Sequence, residues 1–473
     1  MLESDLAYSS IKELSSLIER REISAAELVK TYLERIERLQ PKLNAYITVC
    51  RGEALASAKV IDNTLVKNDK FKKPLLGIPI ALKDQLDTRG ILTTNGSNAL
   101  DDYIPEEDAT VVARLKEAGA IILGKLNMTE FAAAGGEDPP FGQPRNPWNT
   151  DYSPGGSSSG SGIAVSAGLC AASIGEDSGG SARIPASFCG VAGFRPSAGL
   201  VSRWGIHPLS PSLDTASPLG RSVADCAFLL QAIAGYDPKD ALSSQRPVPD
   251  YPASLQHGVK GVRIGVIKEF MDDQNLDSEI KAAIETVRTT LGKLGASVND
   301  VSISHIKQSM YALGIIIWCE GAALNRKRFE SKYHLFRQST RLGFLAGCLL
   351  PSEVYLRARQ AQALIRSEVL EAFQQCDALL CPVSPRLTPK IKDAEKAANF
   401  PTREDVLKRH DDGHVGFAPL AGCPAISVPC GFSKSGLPIG VQITGRPFED
   451  TTVLRVAHAY EQSTNWHNHH PDL

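Results

Sequence analysis

One stretch, Ser153 to Pro196, constrains the fold more than any other part of the chain. It reads SPGGSSSGSGIAVSAGLCAASIGEDSGGSARIPASFCGVAGFRP. Two Gly/Ser clusters, Gly155 to Gly162 and Ser178 to Ser181, flank an uncharged apolar run from Ile163 to Gly175. A Gly/Ser tract by itself describes a flexible linker. A linker does not lead into an apolar run rich in small residues. Both clusters therefore belong inside a core, as tight backbone turns. The pattern predicts a helix over 163–169 and a buried strand over 171–175.

Such turns carry chemistry. Glycine lets the backbone take left-handed angles and approach a ligand closely. Successive N–H groups in a turn cradle an anion. A serine at the end of the turn is then a nucleophile with an oxyanion hole beside it. The residues alone leave three readings open: ordinary turns, a phosphate cradle, or a nucleophile. The phosphate reading is weakened because no Gly-x-x-x-x-Gly-Lys-Ser/Thr motif occurs.

Composition limits the alternatives. Apolar residues make up 42% and charged residues 22%, as in ordinary soluble globular proteins. The formal net charge of −2 leaves no basic footprint for nucleic acid. Ten cysteines are scattered without a Cys-x-x-Cys pair, which argues against zinc. The N-terminus is charged and has no apolar signal core. No apolar run of about 18 residues is present to span a membrane. The expectation is a reduced, cytoplasmic setting.

Along the chain, residues 9–39 read as two amphipathic helices. Ser24 and Glu27 form a capping box, and Pro41 ends the second helix. The run from Leu75 to Asp84 reads as a short buried strand ending on Lys83, either a snorkelling surface lysine or a buried base. Residues 108–119 suggest a helix and 120–124 a buried strand, followed by a Gly/Pro-rich loop up to Trp148. Ser222 is placed to cap a helix over 223–235. His207 stands alone in a proline-bounded loop and reads as structural. Further on, 262–267, 296–301 and 378–383 read as strands, 278–294 and 352–373 as helices. Residues 394–414 read as a polar surface excursion near the site entrance. Residues 426–429 and 438–443 read as a strand pair, and the tail WHNHHPDL as disordered rather than metal-binding.

GGSSSGS followed by GEDSGGSARIPASFCG resembles the amidase signature family. Ser157 and Ser181 stand 24 positions apart, the family's spacing. The block Gly77-Ile78-Pro79 to Lys83-Asp84, the block Lys125 to Phe131, Asn146-Pro147-Trp148 and the run Leu420 to Thr464 also match family patterns. Ser159, Glu176, Ala182 and the Phe417-Ala418-Pro419 stretch depart from it; Glu176 stands where the family usually has threonine.

The resemblance implies a single large α/β domain over 1–473, with a mixed twisted central sheet covered by helices on both faces. Within it, 1–65 would be a helical cover, 66–235 the catalytic core, 236–415 a variable substrate-specificity region, and 416–473 core strands and tail. It implies an amidohydrolase that cleaves a linear carboxamide through an acyl-enzyme. Ser181 would be the nucleophile and Lys83 the base. Ser157 would bridge them, following a cis peptide bond at Gly156–Ser157, with each hydrogen-bonded link about 2.6–3.2 Å. Backbone N–H groups of Ser178, Gly179, Gly180 and Ser181 would hold the oxyanion, and Phe131 would face the substrate. No metal or cofactor is implied. The expected partner is a small-molecule amide, with a homodimer as an option, no direct nucleic-acid contact and no membrane span. The rival readings are the glutaminase component of a tRNA-dependent amidotransferase and a non-catalytic binding protein on the same fold.

Overall fold

The apolar runs of the sequence become the strands of one sheet. The computed structural model describes residues 3–67, 73–133, 139–392 and 414–473. Its strands are β1 (Tyr46–Val49), β2 (Pro79–Lys83), β3 (Ile121–Leu126), β4 (Ala172–Glu176), β5 (Ala192–Arg195), β6 (Ala216–Gly220), β7 (Arg263–Ile267), β8 (Ser297–Val301), β9 (Ala378–Pro382), β10 (Ala425–Phe432) and β11 (Pro438–Gly445). They lie in the order β1-β3-β2-β4-β6-β5-β10-β11-β9-β7-β8. The sheet is mixed: β2 runs parallel to β3 and β4, and β7 parallel to β8 and β9, while the other pairs are antiparallel. Helices cover both faces, so the molecule is a single large α/β domain. Every residue of β2, β3 and β4 is buried, which is why these strands read as continuous apolar runs rather than alternations.

The helices follow their caps and stripes. Ile11, Leu14, Leu17 and Ile18 line the buried face of helix Ile11–Glu19. Ser10 with Glu13, Ser24 with Glu27 and Ser222 with Asp225 each form a capping box. Pro41 does not end its helix. The helix runs Ala25–Leu43, because Leu39 and Leu43 are both buried and Asn44, in the left-handed region, closes it. A proline in the last turn removes only one intrahelical bond.

Two other expectations change. The His-rich tail packs on the body: the His470 ring stacks on Tyr8 at 4.1 Å, and Trp466 and His469 both pack against Phe432. Flat aromatic faces give this tail apolar area to bury despite its polar composition. Of the excursion expected at 394–414, only His414 is among the described residues. It is buried and stacked on Phe270 at 4.0 Å.

The helix expected at 163–169 starts earlier, at Ser159, and runs Ser159–Ser166 with every residue buried. Gly160 explains how it fits. A Cβ there would lie 2.3 Å from the Ala45 carbonyl oxygen and 2.6 Å from the Asn127 nitrogen. Because both neighbours are backbone, Gly160→Ala is expected to destabilise the protein at the upper end of the range of about 1–3 kcal/mol for overpacking. Urea unfolding of the variant beside the wild type measures it, and an unchanged midpoint would refute the close approach.

Candidate active site

Strand register brings the site together. Leu82 pairs with Ile174 across the parallel β2–β4 ladder, so Lys83 ends β2 beside the end of β4. Ala216 pairs with Glu176 across the antiparallel β4–β6 ladder, which sets Asp214 next to the turn leaving β4. The helix Ser159–Ser166 brings Ser157 and Ser158 to the same point. Ser158 Oγ donates to the Glu176 carbonyl at 3.0 Å, and its own N–H donates to the Ser181 carbonyl at 3.1 Å. The two Gly/Ser clusters are thus hydrogen-bonded to each other. This is the ligand position expected outside the carboxyl ends of parallel strands.

Lys83 is fully buried, so it does not snorkel. Its Nζ donates to Ser157 Oγ at 2.7 Å and lies 3.2 Å from Glu176 Oε2. Burial pulls the Lys83 amine below its ordinary range, while the Glu176 carboxylate pushes back. The peptide bond at Gly156–Ser157 is cis, as expected. The first link of the expected chain is therefore closed. The second, from Ser157 to Ser181, is not made among the described residues. Hydroxyls rotate freely, and links of this kind tighten when a substrate seats.

The turn carrying Ser181 is locked from behind. Arg183 donates from Nε to Asp177 Oδ2 at 3.0 Å and from Nη2 to Oδ1 at 2.9 Å. Arg195 reaches the same carboxylate from 3.5 Å. Burial opposes ionisation of Asp177, but Arg183, with Arg195, outweighs it and holds the carboxyl well below the usual range. Gly180 has φ +110, and its N–H donates to Asp177 Oδ1 at 2.7 Å. That contact corrects the expected oxyanion hole: the Gly180 N–H serves the lock and is not free for a ligand. The N–H groups of Ser178, Gly179 and Ser181 have no partner among the described residues.

Other residues singled out in the sequence take structural places. Phe131 is 1% exposed, with φ 52, and stacks on Phe336 at 4.9 Å. It forms part of an aromatic wall rather than an open face. His207 lies against Asp87 at 3.4 Å and bonds to neither serine. Lys125 is a second buried lysine, bonded to the Leu86 carbonyl and Thr93 and paired with Asp84. Sequence reasoning missed Ser158, Asp177, Arg183 and Asp214. The available signal was the pair of opposite charges, Asp177 and Arg183, bracketing a Gly-Gly-Ser turn inside an apolar stretch.

A family model described as Amidase matches residues 27–454. The chain belongs to the amidase family. Its members act on the C–N bonds of amides, so this chain is an amidase-type enzyme. It is 42% identical over 485 residues to a glutamyl-tRNA(Gln) amidotransferase subunit of Geobacter metallireducens, covering 97% of this chain and 98% of the relative. The crystal structure of the same-named subunit from Thermotoga maritima is 34% identical, with TM-score 0.81, over 97% of this chain and 95% of that one. A chain of a vestigial protein complex connected with the origins of an s-triazine catabolic enzyme is 31% identical, with TM-score 0.89, over 96% and 98%.

These relatives correct one expectation. A partner set of a small-molecule amide and an optional second copy, with no direct nucleic-acid contact, does not describe proteins named as subunits of an amidotransferase for glutamyl-tRNA(Gln). Among the described residues, no helix is long and apolar enough to cross a membrane.

Proposed function

We propose that this chain is the amide-hydrolysing subunit of a tRNA-dependent amidotransferase, releasing ammonia from a carboxamide donor such as glutamine for amidation of glutamyl-tRNA(Gln). The observation that carries the chemistry is the buried Lys83 Nζ at 2.7 Å from Ser157 Oγ, on the turn bonded to that of Ser181. The assignment to an assembly is supported by the full-length similarity to chains named as components of one.

In this reading, neutral Lys83 takes the Ser157 proton as Ser157 takes the proton of Ser181. Ser181 Oγ attacks the amide carbon. The oxygen that gains charge is held by the N–H groups of Ser178, Gly179 and Ser181. The proton returns from Lys83 through Ser157 to the nitrogen, the C–N bond breaks, and ammonia leaves. Water, deprotonated by the same route, then cleaves the acyl-serine ester and frees the acid. Donor choice falls to 236–415: a Cβ on Gly179 would meet Leu313 at 2.8 Å and one on Gly180 would meet Val415 at 2.5 Å, so these side chains wall the turn.

Reconstitution tests the proposal. Co-expressed with the other subunits of such an assembly, the chain is expected to support glutamine-dependent conversion of glutamyl-tRNA(Gln) to glutaminyl-tRNA(Gln), read by acid-gel or mass analysis of the aminoacyl group. Full turnover of small amides by the isolated chain, with no amidation of tRNA in any such assembly, would overturn it.

A further inference from the structure

Ser178 stands between two carboxyl groups. Its Oγ is 2.7 Å from Glu176 Oε1 and 2.7 Å from Asp214 Oδ1. A serine hydroxyl has one proton to donate, and an ionised carboxylate has none. With both carboxyls ionised, one of these contacts would set oxygen against oxygen with no hydrogen between them. Glu176 is 0% exposed, Ser178 1% and Asp214 5%, so bulk water does not separate the groups. One proton resident on the pair completes both hydrogen bonds. The other oxygen of Glu176 faces Lys83 Nζ at 3.2 Å. A continuous buried chain thus runs from Asp214 through Ser178 and Glu176 to Lys83 and Ser157.

We propose that Glu176 and Asp214 share one proton across Ser178, and that the pair is a positioning device for Lys83, steadying its amine against Ser157 and setting the pH at which that amine becomes a base. The second half rests on the reading of Lys83 as the base. The remaining Asp214 contacts are N–H donors, from Leu209 at 3.0 Å and Ser210 at 2.9 Å. Burial, with Glu176 beside it, pushes Asp214 up to about 7. Near neutrality the pair carries one negative charge, and it gains a second as the pH rises. Each negative charge favours the Lys83 ammonium, against the pull of burial. The other charged groups facing this cluster are accounted for. Asp177 is committed to Arg183 and Arg195, and Arg195 also faces Glu176 and Asp214. Asp84 pairs with Lys125. The acid limb of the rate profile therefore belongs to Lys83, Glu176 and Asp214 together.

The test uses the full-length chain, within its assembly where activity needs one, and the variants Glu176→Gln and Asp214→Asn. In each variant one carboxyl is left beside Ser178, whose hydroxyl donates to it, so the contact no longer requires a proton on the pair. Wild-type-minus-variant infrared spectra at about pH 6 are expected to show the loss of one protonated-carboxyl stretch for either substitution. In Glu176→Gln, the acid limb of kcat/KM is expected to move to lower pH by about 1–3 units, the effect of removing a close opposite charge. Asp214→Asn leaves the single negative charge on Glu176, the carboxyl facing Lys83, so there the limb is expected to stay in place or move to higher pH. A carboxyl band retained in both variants, or an acid limb unmoved or raised in Glu176→Gln, overturns the proposal. Circular dichroism checks folding; if Glu176→Gln does not fold, the infrared comparison of Asp214→Asn decides. Full activity in Lys83→Ala would instead defeat the base reading, and with it the second half of the proposal, while the infrared comparison still decides the shared proton.

Discussion

Ser181→Ala is expected to lower amide hydrolysis by roughly 10⁴- to 10⁶-fold, the range for removing one member of a serine triad. The fold should survive. The contact that ties Ser181 to the other Gly/Ser turn uses its backbone carbonyl, which accepts from the Ser158 N–H and is kept in alanine. The residue is only part-buried, so loss of its hydroxyl leaves no sealed polar group behind. Single-turnover release of ammonia measures the chemistry, and a thermal melt measures the fold. Residual activity within about tenfold of the wild type would remove Ser181 from the nucleophile's role. Acid should act on the intact enzyme through Lys83. Only its neutral amine accepts a proton, so the rate should fall as the pH drops and the ammonium forms.

How much of this could be read in advance depended on the range of the interaction. Local signals carried the elements well. Ser24 with Glu27 and Ser222 with Asp225 marked helix starts, and apolar runs marked β2, β3 and β4. The motif resemblance alone placed Lys83 beside Ser157. The failures lie where the deciding partner is remote in sequence. Asp214 joins the site only through the β4–β6 register, 36 residues from Ser178. The Gly180 N–H looked available because its acceptor, Asp177, was read as part of a motif and not as a buried anion. Phe131 was expected to face a substrate, but Phe336 and Phe344 lie over 200 positions on and close around it. The excursion at 394–414, apart from His414, lies outside the described residues.

Arg183→Met is expected to have the largest effect on stability, a loss of about 3–5 kcal/mol. The wild-type guanidinium is fully buried and donates twice to Asp177, once to the Val415 carbonyl at 2.9 Å and once to Gln442 Oε1 at 2.6 Å. Methionine fills much of the volume but supplies no donor. Asp177 would keep the Gly180 and Ala182 N–H groups and Arg195 at 3.5 Å, but would lose its closest charge. Breaking one side of a buried pair costs more than removing both, because the surviving charge is left without compensation. The pH dependence has a definite sign. Asp177 titrates well below the usual carboxylate range in the folded protein, so its contribution is fully present above the unfolded value of about 3.9 and is lost as the pH falls through the folded value. In Arg183→Met the folded value rises, and acid unfolding should begin at a higher pH than in the wild type. Urea unfolding near neutral pH gives the first quantity and an acid titration followed by circular dichroism gives the second. Activity should fall with stability, because Asp177 holds the turn that presents Ser178, Gly179 and Ser181. A loss below about 1 kcal/mol, with acid unfolding unchanged, would mean that Arg195 alone sustains Asp177 and that the turn owes little to Arg183.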